Sequence, residues 1–178
     1  MKILGIAGWS GAGKTTLVTK LIPVLSERGI RVSTIKHAHH MFDPDQPGKD
    51  SYKHREAGAA EVLVSSSRRW ALIHEHRGES EPTLETLLTR LEPADLVLVE
   101  GWKHGNHPKL EVYRPAVGKP LLVQEDSSVI AVASDVPASA IQSISPDPLV
   151  VPVLDINDVE MVGDFIIAYC RDPALMSL

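Results

Sequence analysis

The sequence predicts an α/β fold: a mostly parallel sheet with helices on both faces and an added antiparallel hairpin. Three observations carry that prediction. Apolar, strand-like runs alternate along the chain with segments of helical periodicity. The first run, Lys2-Ile3-Leu4-Gly5-Ile6-Ala7, leads straight into a glycine-rich turn and then a helix. A later run, Asp95-Leu96-Val97-Leu98-Val99-Glu100-Gly101, is apolar throughout and ends in a carboxylate and a glycine. Parallel sheets bind ligands at the carboxyl ends of their strands.

The remaining elements follow in order. Residues 16–28 carry Leu17, Leu21 and Leu25 at helical spacing, with Val18 and Ile22 beside them, and Gly29 suits a left-handed helix end. Pro23 falls inside that helix and predicts a kink. Residues 30–36 alternate and end in Lys36, so they read as the second strand. A polar loop rich in His and Asp spans 37–50, and a short helix over 51–57 is closed by Gly58. Runs at 61–65 and 70–74, joined by four residues, read as an antiparallel hairpin. Pro82 can open a helix whose buried face is Leu84, Leu87, Leu88 and Leu91. Strands are expected at 110–113, 129–133 and 149–154, and a closing helix at 156–170 with Val159, Val162, Ile166 and Tyr169 along one stripe.

Composition bounds the function. A chain of 178 residues suits one domain, 1–178, and is short for two. With 43% apolar and 23% charged residues it reads as a globular, folded protein. A formal net charge of −5 gives no general electrostatic reason to bind nucleic acid. The single cysteine, Cys170, excludes an internal disulfide and any multi-cysteine metal site. No apolar run approaches the roughly 20 residues that span a bilayer, and no signal peptide is expected. The expected location is the cytoplasm, away from membranes.

The chemistry concentrates at strand ends. Gly8-Trp9-Ser10-Gly11-Ala12-Gly13-Lys14-Thr15 fits the phosphate-loop pattern G-x-x-x-x-G-K-[ST] at every fixed position, and Thr16 follows. Its glycines allow several backbone N–H groups to face one anion, and the helix N-terminus adds partial positive charge. Lys14 is expected on the β- and γ-phosphates of a nucleoside triphosphate, and the Thr15 hydroxyl on Mg²⁺. Glu100 is expected beside the loop as a second holder of Mg²⁺, with the Gly101 N–H approaching the γ-phosphate. Lys36 is either a solvated strand-end lysine or a second cation on the phosphates.

Three further readings stay open. His37, His39 and His40, with Asp43 and Asp45, invite a transition-metal site, but match no closed zinc pattern. The alternative for that loop is a nucleotide-sensing switch in which Asp43, Asp45 or Asp50 approaches Mg²⁺. For base selection, the Asn-Lys-x-Asp tetrapeptide is absent. Ser134-Asp135, after the strand at 129–133, is either a plain turn or a carboxylate accepting both N–H edges of guanine.

Taken together, Gly8 to Leu17, Ile35-Lys36-His37-Ala38-His39-His40, Lys49-Asp50-Ser51-Tyr52, Arg55-Glu56-Ala57-Gly58-Ala59, Arg69-Trp70-Ala71-Leu72, Leu98-Val99-Glu100-Gly101-Trp102-Lys103 and Ala131-Val132-Ala133-Ser134-Asp135 resemble the MobB family. These are the molybdopterin-guanine dinucleotide biosynthesis adapter proteins. The resemblance implies a P-loop fold that binds GTP with Mg²⁺, hydrolyses it weakly and forms a homodimer. It implies a partner, the molybdopterin guanylyltransferase that joins GMP to molybdopterin. Gly11, Gly13, Lys14, Thr15 and Thr16 match the family's phosphate loop, and Glu100 and Gly101 its acidic strand end. Members of the broader class carry a signature lysine early in the loop; here Trp9 and Ser10 stand there. The residues alone leave two other functions open, a small-molecule kinase with Asp50 or Glu100 as base, and a metallochaperone GTPase using the histidine loop. The hairpin, read as an addition to the main sheet, would leave an edge for a second subunit to pair with.

Overall fold

The computed structural model describes residues 1–38, 42–102 and 105–171. The chain divides into two compact units, one built from Met1–His37 and the chain from Glu92 on, the other from Ala38–Leu91.

The first unit is a six-stranded sheet in which every pairing is parallel. Its strands are β1 (Lys2–Ala7), β2 (Val32–Lys36), β5 (Leu96–Glu100), β6 (Lys109–Tyr113), β7 (Val129–Ser134) and β8 (Val153–Asp155), in the order β2-β5-β1-β6-β7-β8. From β1 the chain turns one way through helix α1 (Lys14–Glu27) to β2, whereas β6, β7 and β8 fill the other side. That reversal opens a crevice at the carboxyl edge beside β1, the usual ligand position in open parallel sheets.

Strands buried on both faces need continuous apolar runs rather than alternation. β5 is such a run, with all five residues buried. Along β7, Ala131 and Ala133 pack toward α1 and the closing helix α5 (Val159–Arg171), while Val132 turns to the opposite cluster with Tyr113, Leu121 and Ile141. Ile141 comes from α4 (Ala138–Ile144), so helices cover both faces of this half of the sheet. α1 ends as expected: Gly29 has φ 80°, its N–H bonds the Ser26 carbonyl, and the Ile30 N–H bonds that of Leu25. α5 is preceded by Asp158, whose carboxylate accepts the Met161 N–H and so caps the helix start.

β6 is the strand that sequence patterning describes least well. It begins at Lys109, which is 1% exposed, and contains Glu111, which is fully buried. The Lys109 ammonium donates to the Gly105 carbonyl, Asp126 and Ser128. Glu111 accepts the N–H groups of Leu122 and Val123 through its two oxygens. Burial pushes the Glu111 carboxyl above its ordinary range against those two donors.

The second unit holds α2 (Asp50–Glu56), the strands β3 (Glu61–Ser65) and β4 (Trp70–His74), and α3 (Leu84–Leu88). β3 and β4 pair antiparallel, as predicted, with Glu61 opposite His74, Leu63 opposite Leu72 and Ser65 opposite Trp70. They form a two-stranded sheet of their own in addition to the six-stranded one, the added hairpin that the sequence predicts. The reason lies in the connection: the hairpin belongs to an insertion that leaves the sheet after β2 and returns only at β5. Arg55 organises this unit, bonding Asp43, Asp45 and Glu75. α3 is shorter than the leucine pattern suggests; Thr83 caps it by accepting the Thr86 N–H, and only Leu84 of its residues is buried.

Two other boundaries differ. The strand expected at 149–154 is reduced to Val153–Asp155, since Pro152 has no N–H for a ladder and Val150 is 92% exposed. α4 and short 3₁₀ turns at Pro115–Val117 and Leu122–Gln124 were not expected. No described helix is long and apolar enough to cross a membrane.

Candidate functional site

Because its strands run parallel, the first unit brings four polar strand ends to one edge. The loop after β1 is shaped by contact with β6. A Cβ on Gly8 would stand 2.4 Å from the Val112 carbonyl oxygen, and its φ of +140° is one that side-chain-bearing residues rarely adopt. Only glycine lets the loop leave the sheet at that point. The Trp9 indole N–H bonds the Pro120 carbonyl, which anchors the next residue. Ser10 and Gly11 are exposed at the tip, and Ala12 is 2% exposed beneath them.

Helix α1 then starts at Lys14, with Gly13 as its cap residue. Leu17 is the first N–H with an intrahelical-type partner, the Gly13 carbonyl. The N–H groups of Lys14, Thr15 and Thr16 therefore fall in the first turn, where a helix offers them no acceptor of its own. The Lys14 ammonium lies over the loop, donating to the carbonyls of Gly8 at 2.9 Å and Trp9 at 3.0 Å. Loop amides, helix dipole and ammonium together form an anion cradle.

Across the register, Ile6 of β1 and Lys36 of β2 both align with Glu100 of β5. This alignment carries side-chain contact. The Thr15 hydroxyl donates to Glu100 Oε1 at 2.6 Å. Lys36 Nζ stands 3.3 Å from the same hydroxyl and 3.4 Å from the same carboxylate oxygen. Lys36 thus sits beside the loop threonine and the strand-end carboxylate while its side chain stays 60% exposed. A hydroxyl that gives its proton to a carboxylate keeps its lone pairs outward, and oxygen donors of this type suit a hard cation such as Mg²⁺. Gly101 turns the chain away with φ +88°, and a Cβ there would meet the His37 carbonyl at 2.9 Å.

Farther along the edge, Ser134 is 1% exposed and its hydroxyl accepts the Val136 N–H. Asp135 is paired with Arg114 at 2.7 Å. Arg114 was not singled out in the sequence. It follows β6 directly, and its Nε donates to the Ala12 carbonyl at 3.0 Å, so it clamps the phosphate loop to Asp135. A basic residue at a strand end is the signal that points to Lys36, and Arg114, directly after β6, carries a similar one.

Other sequence candidates fall elsewhere. Asp50 belongs to the second unit, opens α2 and pairs with Lys53, its side chain 89% exposed. Asp43 and Asp45 are held by Arg55. The Arg55 hydrogen bond is the main reason the Asp43 carboxyl lies below its usual range. His39 and His40 lie outside the described residues.

A glycine-rich loop on the first strand of a parallel sheet, bonded through its threonine to the acidic end of the neighbouring strand, defines the P-loop nucleotide-binding fold. Comparison with known proteins narrows the class. The family model for MobB, described as molybdopterin guanine dinucleotide synthesis protein B, matches residues 3–135. The chain belongs to the MobB family. It is 48% identical over 172 residues to a protein of Escherichia coli (strain K12) named molybdopterin-guanine dinucleotide biosynthesis adapter protein, covering 95% of this chain and 93% of that one. A Haemophilus influenzae protein of the same name is 41% identical over 166 residues, covering 92% and 86%. A crystal structure titled molybdopterin-guanine biosynthesis protein B superposes with a TM-score of 0.73 at 29% identity, covering 96% of this chain and 99% of that one.

Proposed function

We propose that this protein binds GTP with Mg²⁺ in the cradle of Gly8 to Thr16, hydrolyses it slowly, and acts as an adapter in making molybdopterin guanine dinucleotide. Its partner on this reading is the nucleotidyltransferase that joins GMP to molybdopterin, in the cytoplasm. The observation that carries the proposal is the triangle of Thr15, Glu100 and Lys36 beside the loop. The relatives named for that pathway supply the biological direction.

The residues divide the work. Gly11, Gly13 and the first-turn amides of α1 hold phosphate oxygens, and Lys14 exchanges its loop carbonyls for the β- and γ-phosphates. Thr15 and Glu100 hold Mg²⁺, which when bound neutralises charge between β- and γ-oxygens. Asp50 is a third candidate ligand for Mg²⁺. Lys36 and the Gly101 N–H face the γ-phosphate side. Asp135 reads guanine; a carboxylate offers about four lone-pair positions, so its bond to Arg114 leaves room for the N1–H and N2–H₂ pair. Slow turnover follows from Arg114 being engaged by Ala12 and Asp135 rather than extended toward a phosphate.

The homodimer is assigned to the hairpin. Leu63, Trp70 and Leu72 share one face of β3–β4 and are 60%, 60% and 42% exposed, an apolar face that a second copy would cover. A monomer by light scattering at tens of micromolar would remove this part.

Titration with GTP and with ATP, each with and without Mg²⁺, tests the whole. GTP preference with a Mg²⁺-dependent gain is expected, and Lys14→Ala should abolish triphosphate binding with the fold retained. Preference for ATP would overturn the guanine assignment, and unchanged affinity in Lys14→Ala would overturn the loop.

A further inference from the structure

We propose a transition-metal site at the end of the hairpin, formed by His74, His76 and Glu79. One ligand atom from each lies within 4.8 Å of the other two. His74 Nε2 is 3.8 Å from Glu79 Oε2, and the two imidazoles meet edge to face with centroids 5.4 Å apart. A zinc-sized ion binds nitrogen and oxygen at about 2.0–2.2 Å. Small rotations of these exposed side chains close the remaining gap.

What lifts the cluster above three neighbouring polar residues is the second layer. Glu61, directly across the hairpin from His74, holds His74 Nδ1 at 2.9 Å. A carboxylate on one imidazole nitrogen fixes the proton there and leaves the other nitrogen with its lone pair. That other nitrogen is Nε2, the one beside Glu79. The backbone carrying the donors is also fixed. The Glu75 N–H bonds the Ala60 carbonyl, the Glu79 N–H bonds that of His76, and Arg77 sits at φ 41° with its guanidinium on the carbonyls of Arg55 and Ala59. A non-glycine residue at positive φ persists where its surroundings hold it.

The donor set selects the ion. Two imidazoles and one carboxylate suit zinc, cobalt or nickel, whereas Mg²⁺ and Ca²⁺ prefer oxygen throughout. Three protein ligands leave at least one coordination position open, the arrangement of sites that take a water or an outside donor rather than of closed structural sites. His74 and Glu79 are 41% and 74% exposed, so the ion would exchange with solvent. Of the three donors, His74 lies within β4 on the face it shares with Leu63 and Leu72, so the site adjoins that apolar surface.

The test is calorimetric titration of the untagged full chain with zinc sulfate, paired with the absorption spectrum of the Co²⁺ form. One ion per chain is expected, with a tetrahedral or five-coordinate cobalt band. His76→Ala and Glu79→Gln should each weaken binding at least tenfold, and Glu61→Gln by about tenfold through the second layer. Lys14→Ala and the His39→Ala/His40→Ala double variant should bind zinc as the parent does. No binding at millimolar zinc, or equal binding in His74→Ala/His76→Ala, would overturn the proposal. So would loss of binding in the His39→Ala/His40→Ala chain, which would place the ion on the 37–50 loop instead.

Discussion

Glu100→Gln isolates the metal-binding half of the proposed nucleotide site. The substitution keeps shape and removes one charge from a side chain that is 12% exposed. Without nucleotide the cost should be small. At 3.4 Å, two unit charges interact by roughly 5 kcal/mol at an effective dielectric of 20, but Lys36 is 60% exposed and solvent screening cuts this to about 1 kcal/mol. The amide oxygen can still accept from Thr15 Oγ1, so that bond survives. With Mg²⁺ and GTP the balance changes, because a charge-assisted contact is lost where the carboxylate met the cation's shell. Such contacts contribute about 1.5–3 kcal/mol, roughly a 10- to 100-fold loss in affinity. The assay is fluorescence titration with a labelled GTP, run with Mg²⁺ and with EDTA. The Mg²⁺-dependent part of the affinity should fall by that factor, while the binding free energy in EDTA and the unfolding free energy stay within about 1 kcal/mol of the parent. An unchanged Mg²⁺ increment would refute the role given to Glu100, whatever happened to overall binding.

Other outcomes follow from the same geometry. Gly8→Ala should destabilise by about 2–4 kcal/mol, since its methyl collides with the Val112 carbonyl in a disfavoured backbone region; a melting temperature within a degree of the parent would contradict it. Asp135→Asn should lower GTP affinity by roughly 10- to 100-fold and shift preference toward xanthosine triphosphate, with an unchanged ratio counting against guanine reading. Burial raises the Glu111 carboxyl above its ordinary 4.5, so the folded chain holds that proton more tightly than the unfolded one. Its stabilising contribution is therefore full below pH 4.5 and is lost as pH rises through the raised value. Glu111→Gln should flatten that part of the stability profile by urea unfolding, and an identical slope would refute it. Glu111→Ala should cost about 1–3 kcal/mol for each of the N–H groups of Leu122 and Val123 left without an acceptor.

The parts legible in the sequence are those whose cause is local. β1, β3 and β4 have the expected bounds because apolar runs there are cut by turn residues on both sides. The phosphate loop and Glu100 were legible because one apolar run predicts a buried strand and its end predicts an edge. β6 was legible only from Leu110, because Lys109 is made buriable by Asp126 and Ser128, which sit well along the chain. Arg114 hid for a related reason: its partners, Ala12 and Asp135, follow the strands on either side of its own, β1 and β7. α4 starts after Pro137 with no side-chain cap and buries one residue, Ile141, so neither capping nor periodicity announces it. The independence of the hairpin's sheet is a matter of long-range pairing, which alternation within two strands does not encode.

The placement of β1 has a consequence for how the chain is made. β1 leaves the ribosome before the strands on both sides of it, for Lys2 pairs with Leu96 and Ala7 with Glu111. Helix α1 packs against α5, the last helix described. Long-range parallel pairing of this kind is slow, since loop closure is paid for before contacts form. At about 5–20 residues per second, the nascent phosphate loop waits several seconds with neither neighbour present. The loop after β1 therefore gains its Glu100 and Val112 neighbours only once β5 and β6 have been made and have closed on β1.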